Sequence, residues 1–176
     1  MESLLAQLGA KDRLTVEKQM AALDAGDDTG RATLWKRLFA TLMSLAPHRA
    51  KINAQSMQFY QADGKHRRQV FAMEDGGANT LNIYCEDILD GAIKAKLLQL
   101  DKTAGPDGTT YRIAGASATL FVERIDGSAI NPTESFKHMI GWNRKALRIT
   151  LPVTASEPQI ATTEILCALS IGPESA

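Results

Sequence analysis

Residues 56–100 constrain the fold of this chain more than any other segment. Three short runs there have the apolar and alternating patterns typical of β-strands, at about 54–61, 67–74 and 80–85. The first two runs are joined through Asp63-Gly64, a pair that two-residue β-hairpins favour because both central residues adopt positive φ. A helical pattern follows at about 87–99. Strands in hairpin order predict an antiparallel or mixed sheet.

The helix predicted at 31–45 has the clearest amphipathic pattern in the chain. Its wide apolar stripe consists of Leu34, Trp35, Leu38, Leu42 and Leu45, with Phe39 and Met43 beside it. Residues 3–25 also show helical spacing, interrupted at Gly9, so these two segments are predicted to form a helical hairpin. The stripe of 31–45 fits two uses, packing against the sheet or serving as a partner or dimer face.

The remainder of the chain continues the same mixture of strands and helices. Further strands are predicted at 110–114, 117–125 and 144–152, a short helix from Asn131 to Gly141, and a last helix from Ser156 to about Ser170. Ser156-Glu157-Pro158-Gln159 has the spacing of a capping box at the start of that helix. The predicted buried positions are Leu89, Ile93, Leu97 and Leu100 in helix 87–99, and Ile160, Ile165, Leu166 and Leu169 in the last helix.

These elements predict an α+β protein with a single domain over 1–176. The helical hairpin occupies 1–47, and a sheet region of about six strands, with helices packed on one face, occupies 52–172. A doubly wound parallel sheet is the second choice, because the strands come in hairpin order and do not alternate strictly with helices.

Composition indicates an ordinary soluble globular protein, with 44% hydrophobic and 23% charged residues. No apolar run approaches the roughly 18 residues of a membrane span, and the first residues do not resemble a secretory signal. Cys85 and Cys167 both lie in apolar surroundings, which is typical of reduced structural thiols. We therefore expect a cytoplasmic protein that does not contact a membrane.

Basic residues are concentrated in two segments of a chain whose net charge is zero. Segment 29–73 has a net charge of +7 and segment 135–156 a net charge of +4. The candidate anion-binding residues from these segments are Lys65, Arg67, Arg68, Lys137, Arg144 and Arg148. Cations beside Trp142 suit a phosphorylated ligand or single-stranded nucleic acid. The alternative is that basic and acidic segments neutralise each other across the fold.

No catalytic, metal or cofactor motif is present. Cys85 lies between a strand and a helix, where cysteine nucleophiles occur, but Glu86 and Asp87 oppose a thiolate there. The histidines, including His138, do not have metal-site spacing, and Asp90 and its acidic neighbours suit the start of a helix. We therefore predict no catalytic residue, no metal and no cofactor.

Three functions remain open on the sequence alone. The first is a binding or regulatory module that acts through a protein partner or a homodimer, using helix 31–45. The second is binding of an anionic ligand or nucleic acid by the basic residues. The third is an enzyme with an unrecognised site near Cys85 or His138, so the sequence leaves open whether the protein is an enzyme.

Overall fold

The computed structural model describes residues 1–25, 30–45, 50–52, 56–63, 66–75, 80–102, 110–125 and 146–171. The helices in these ranges are α1 (Glu2–Leu5), α2 (Ala10–Ala25), α3 (Arg31–Leu45), α4 (Leu89–Lys94) and α5 (Glu157–Ile171). The strands are β1 (Ala50–Ile52), β2 (Ser56–Asp63), β3 (His66–Asp75), β4 (Thr80–Glu86), β5 (Leu100–Lys102), β6 (Thr110–Ile113), β7 (Thr119–Ile125) and β8 (Ala146–Pro152).

All the described strands belong to one sheet, in the order β1-β2-β3-β4-β8-β7-β6-β5. Every neighbouring pair is antiparallel, so β1–β4 and β5–β8 form two meanders that meet where β4 pairs with β8. Short turns favour this arrangement, because a tight turn can join only antiparallel neighbours. The α+β class is confirmed, and the alternative of a doubly wound parallel sheet is wrong.

All six predicted strands are present, and the sheet is wider than predicted because two short strands were missed. Both β1 and β5 are three residues long and lie at the two edges of the sheet. A strand of that length carries at most two side chains per face, which is too few for an alternating pattern. Short edge strands also limit pairing with other chains.

One side of the sheet faces the core. The core-facing side chains alternate along the central strands, with Leu81, Ile83 and Cys85 in β4 and Leu147, Ile149 and Leu151 in β8. Tyr84, on the opposite side of β4, is buried as well. Helix α5 contacts β2, β3, β4, β6 and β8 and buries Leu166 and Cys167 in the same cluster. Residues of α1, α2 and α3 belong to that cluster too, so the helical segment and both meanders share one core.

The apolar stripe of α3 is internal. Leu34, Trp35, Leu38, Phe39, Leu42 and Met43 are each at most 4% exposed. The helix contacts α1, α2 and α5, and its Lys36 Nζ lies 2.8 Å from Asp24 Oδ1 near the end of α2. The stripe therefore packs within the chain, which is one of the two uses that the sequence left open. Leu45, the last residue of the stripe, is partly buried and packs against the same core.

Helix α4 is shorter than the helix predicted at 87–99, because the chain turns into the left-handed region at Lys96 (φ 58°). The Lys96 N–H donates to the Ile93 carbonyl, and the Leu97 N–H donates to the Ala92 carbonyl, at 3.0 and 2.9 Å. This pair of bonds is the Schellman arrangement, which usually has glycine at the left-handed position. Because lysine occupies this position instead of glycine, the sequence does not indicate where the helix ends.

The strain at Lys96 predicts that Lys96→Gly stabilises the protein. Removing the Cβ relieves the left-handed conformation, so the free energy of unfolding should rise by about 1 kcal/mol in denaturant titration. Gly115, with a φ of +78° and open space around its Cα, provides the opposite test. Gly115→Ala should lower the free energy of unfolding by about 1 kcal/mol. Equal signs for the two changes would contradict this explanation.

Candidate protein-contact site

Two leucine and isoleucine positions that the helical patterns predict to be buried are exposed. Leu97 is 55% exposed and Ile165 is 45% exposed. Leu97 follows the left-handed turn at Lys96, which ends α4 before the helical period reaches it. Ile165 lies beside the buried stripe of α5, which runs through Thr163, Leu166 and Ser170. Exposed apolar side chains mark contact surfaces where they form one contiguous patch.

Leu97 lies at the edge of an open groove between α4 and α5. The groove has a volume of about 370 Å³ and is lined by Asp87, Ile88, Gly91, Ala92, Leu97 and Leu169. Ile165 lies one helical turn before Leu169 on α5, so the apolar surface continues past the groove. We call this surface, made of the six lining residues and Ile165, the α4–α5 groove.

An ion-pair cluster holds the start of α4 against β7. Arg124 Nε lies 3.2 Å from Asp87 Oδ2, and Arg124 Nη2 lies 2.7 Å from Asp90 Oδ1. Partial burial lowers the pKa of Arg124, but the neighbouring Tyr111, Asp87 and Asp90 raise it above its ordinary value overall. The acids at the helix start therefore bind a cation of the chain itself. That agrees with their predicted place at the start of a helix.

The two ends of α4 carry opposite charges. Asp90 at its start is 86% exposed in its side chain, even though it accepts the bond from Arg124. Lys94 at its end and Lys96 in the following turn are both exposed. The charge of α4 thus changes from acidic at its start to basic at its end.

Helix α5, the other wall of the groove, is anchored at its start by the predicted capping box. The Ser156 N–H donates to Gln159 Oε1 at 2.8 Å, which satisfies a backbone donor before the helix begins. Gln159 Nε2 donates to the Thr119 carbonyl at 2.7 Å and so ties α5 to β7. Both walls of the groove are therefore fixed to the same strand.

The predicted anion-binding residues are only partly described. Lys65, Lys137 and Arg144 lie outside the described residues, and Arg67 and Arg68 are described only by their places in β3. Arg148, in β8, donates from Nε to Glu123 Oε2 at 2.6 Å. Burial lowers the pKa of Arg148, and its hydrogen bond to Glu123 raises it above the ordinary value overall. Of the six candidate residues, Arg148 is the one whose side chain belongs to the described part of the chain, and it is already bound to Glu123.

The strand register places the β2–β3 hairpin and the strand ends Ile125 and Ala146 at the same end of the sheet. The hairpin of β2 and β3 closes with Asp63 opposite His66, beyond the end of β4. The chain leaves β7 at Ile125 and enters β8 at Ala146, which pair with each other at that end. Convergence of the six predicted residues stays a prediction.

The two cysteines considered for catalysis are buried. Cys85 is fully buried in the core, and Cys167 is 1% exposed. Burial raises the pKa of the Cys167 thiol well above its usual value. His138 lies outside the described residues. Within the described ranges, no three His, Cys, Asp or Glu side chains are grouped closely enough to hold a metal ion.

Comparison of the chain with protein-family models, with curated proteins and with solved structures found no match. In the part of the chain that the structure describes, no helix combines the length and apolar character needed to cross a membrane.

Proposed function

We propose that this chain is a cytoplasmic binding or regulatory module that acts through a protein contact at the α4–α5 groove. The observation that carries the proposal is the exposure of Leu97 and Ile165 beside a groove with an apolar floor. Burying such side chains releases about 25 cal/mol for each Å² of apolar surface, so a partner that covers them gains free energy.

The same groove suits a protein better than a small molecule. Small-molecule sites enclose most of their ligand and present several converging polar groups. This groove is open to solvent, and its one charged lining residue, Asp87, is already bound to Arg124. A mostly apolar lining is typical of the core of a protein interface.

The other two functions have less support. Anion binding needs free cations, and Arg148 is paired with Glu123. An enzyme site at Cys85 needs access for a substrate, and that side chain lies in the core. The two cysteines are free thiols, as expected for a reducing compartment such as the cytoplasm.

Site-specific photocrosslinking tests the proposal. A photoreactive amino acid placed at position 97 of the full chain, in the cells that express it, should give one discrete adduct whose crosslinked peptide is identified by mass spectrometry. Position 14 is the matched control, because Leu14 is 51% exposed but lies in α2. The adduct at 97 should disappear when Ile165→Asp places a charge beside the groove.

Two results would overturn the proposal. One is an equal yield of adducts from positions 97 and 14, which would mean that the crosslinks arise from random collision. The other is an adduct at 97 that persists unchanged with Ile165→Asp in a chain whose thermal unfolding is unaltered. An adduct with a different protein and an adduct with a second copy of this chain would both support it.

A further inference from the structure

We infer that Cys85 and Cys167 form an oxidation-sensitive pair, in which a hydroperoxide joins the two thiols as a disulfide and so ties α5 to β4. Both cysteines are thiols in the structure, and both belong to the buried core cluster. The pair lies outside the lining of the α4–α5 groove, so its oxidation does not depend on the proposed protein contact.

Helix α5 runs along β4 in the same direction. It begins shortly after Pro152, the last residue of β8, and Pro152 pairs with Thr80, the first residue of β4. Near the other end of α5, Leu169 lines the groove together with Asp87, which directly follows β4. The starts of α5 and β4 therefore lie at one end of the sheet, and their ends lie at the other.

The two cysteines lie at matching positions along this path. From Glu157, the first residue of α5, to Cys167 the helix rises by about 15 Å. From Thr80 to Cys85 the strand β4 extends by about 17 Å. Both cysteines are therefore near the same end of the sheet.

The side of α5 that carries Cys167 faces the sheet. Ile165, on the solvent side of the helix, is 45% exposed. The opposite side is buried and consists of Thr163, Cys167 and Ser170, which follow the helical repeat. Cys85 lies on the core-facing side of β4, so the two thiols point into the same interface.

The packing of α5 on β4 is close. The buried side of the helix carries small side chains, and Cα atoms of α5 and β4 come within 8 Å of each other. A disulfide needs Cα atoms roughly 4.4–6.8 Å apart, so helix and strand are already packed at nearly the separation that it requires. Burial raises the pKa of the Cys167 thiol well above its usual value, and the nearby Cys85 raises it further.

The reaction consumes one hydroperoxide for each pair of thiols. One thiol, as its thiolate, attacks a peroxide oxygen, the O–O bond breaks, and an alcohol leaves with the proton, or water if the oxidant is hydrogen peroxide. The second thiol then attacks the sulfenic acid, so the S–S bond forms, the S–O bond breaks and water leaves. The sulfur atoms together lose two electrons, and the peroxide gains them.

Burial makes this oxidation slow. Cys85 is 0% and Cys167 is 1% exposed, so a peroxide reaches the thiols only when the core opens locally around α5. The raised pKa of Cys167 also keeps the fraction of its thiolate small, and the thiolate is the reactive form. The pair therefore stays reduced during brief exposure to an oxidant and responds to sustained oxidation.

Treatment of the purified full-length chain with hydrogen peroxide tests the inference. After remaining thiols are blocked with N-ethylmaleimide, peptide mass spectrometry should show Cys85 and Cys167 in one linked peptide pair, which dithiothreitol separates. The linked chain should unfold at a temperature roughly 5–10 °C higher than the reduced chain, because the bond closes a long loop. In urea just below the unfolding transition, where local opening is more frequent, the disulfide should form at least about tenfold faster.

Cys85→Ala is the matched control. This variant keeps the six methionines, which peroxide also oxidises, but lacks one of the two thiols. Its unfolding temperature should not rise after the treatment. The difference between the two chains therefore isolates the effect of the disulfide from that of methionine oxidation.

Three outcomes would contradict the inference. In the first, Cys85 and Cys167 are recovered unlinked, as thiols or as oxygen adducts, both with and without urea, or the disulfides join separate chains. In the second, the linked chain unfolds at a lower temperature than the reduced chain, which would mean that α5 must leave its packed position to form the bond. In the third, Cys85→Ala gains the same thermal stability. None of these outcomes depends on crosslinking at position 97, so the proposed function stands or fails separately.

Discussion

Replacement of Phe39 by alanine is expected to lower the free energy of unfolding by about 4 kcal/mol, the usual loss for a large aromatic side chain removed from a core. Phe39 is fully buried in α3, and its ring stacks on Trp35 with centroids 5.1 Å apart and planes 13° from parallel. The substitution removes that contact and leaves a cavity beside Leu42, which neighbouring helices cannot fill by small shifts. Urea unfolding followed by Trp fluorescence and by circular dichroism measures the loss.

The same variant distinguishes the two uses that the sequence left open for α3. If the stripe packs within the chain, Phe39→Ala should reduce stability, whereas Leu14→Ala, at a site 51% exposed, should change it by less than about 0.5 kcal/mol. If the stripe were instead a partner face, the loss would appear in association and stability would change little. A loss of stability below about 1 kcal/mol would contradict the buried position of Phe39.

Local signals in the sequence were sufficient for most of the secondary structure. The capping box at Ser156 marked the start of α5, and the hydrogen bond from its N–H to Gln159 is present at 2.8 Å. The alternation of Leu81, Ile83 and Cys85 marked β4 and its buried face. Each of these signals lies within a few residues of the structure that it predicts, so no knowledge of the fold is needed.

The candidate site was missed because its residues follow the apolar pattern of buried ones. Leu97 continues the spacing of Leu89 and Ile93, and nothing nearby marks the left-handed turn, since lysine stands where glycine is usual. Ile165 belongs to a helix that is apolar on more than one side, so periodicity does not decide which side is buried. The packing of α5 on the sheet determines which of its sides is buried.

Charge was the property that the sequence described least well, because ion partners can be far apart along the chain. Segment 29–73 appears strongly basic, but its Arg37 binds Glu157 and Glu164, more than a hundred residues away. Arg148 of the second basic segment likewise binds Glu123 across β7 and β8. These two arginines are therefore neutralised by acids that are distant in the sequence.

Replacement of Arg37 by methionine is expected to have the second-largest effect, a loss of about 2 kcal/mol in the free energy of unfolding at neutral pH. Arg37 Nη2 lies 2.6 Å from Glu164 Oε1 and 2.7 Å from Glu157 Oε1, so one guanidinium joins α3 to α5. Glu164, only 20% exposed, would keep Thr41 as a hydrogen-bond donor but lose its cation. A carboxylate left half-buried without a countercharge accounts for most of the loss.

Arg13→Met is the matched control, because Arg13 pairs with Glu17 within α2 and both side chains are largely exposed, at 51% and 44%. Exposed pairs one helical turn apart contribute little, so this change should be close to the error of the measurement. Equal losses of unfolding free energy in the two variants would contradict this explanation. They would mean that the ion pairs between α3 and α5 stabilise the fold no more than an exposed pair does.

The pH dependence tests the part of this effect that depends on the charge of Glu157. The hydrogen bond from Arg37 lowers the pKa of Glu157 below its ordinary value of 4.5. The unfolded chain therefore binds the proton first as the pH falls, and the stability that this pair contributes is present above pH 4.5 and lost below it. The difference in stability between the unmodified chain and Arg37→Met should thus be largest at neutral pH and narrow below pH 4.5. A difference that stays constant over that range would mean that the charge of Glu157 does not contribute to the effect of Arg37.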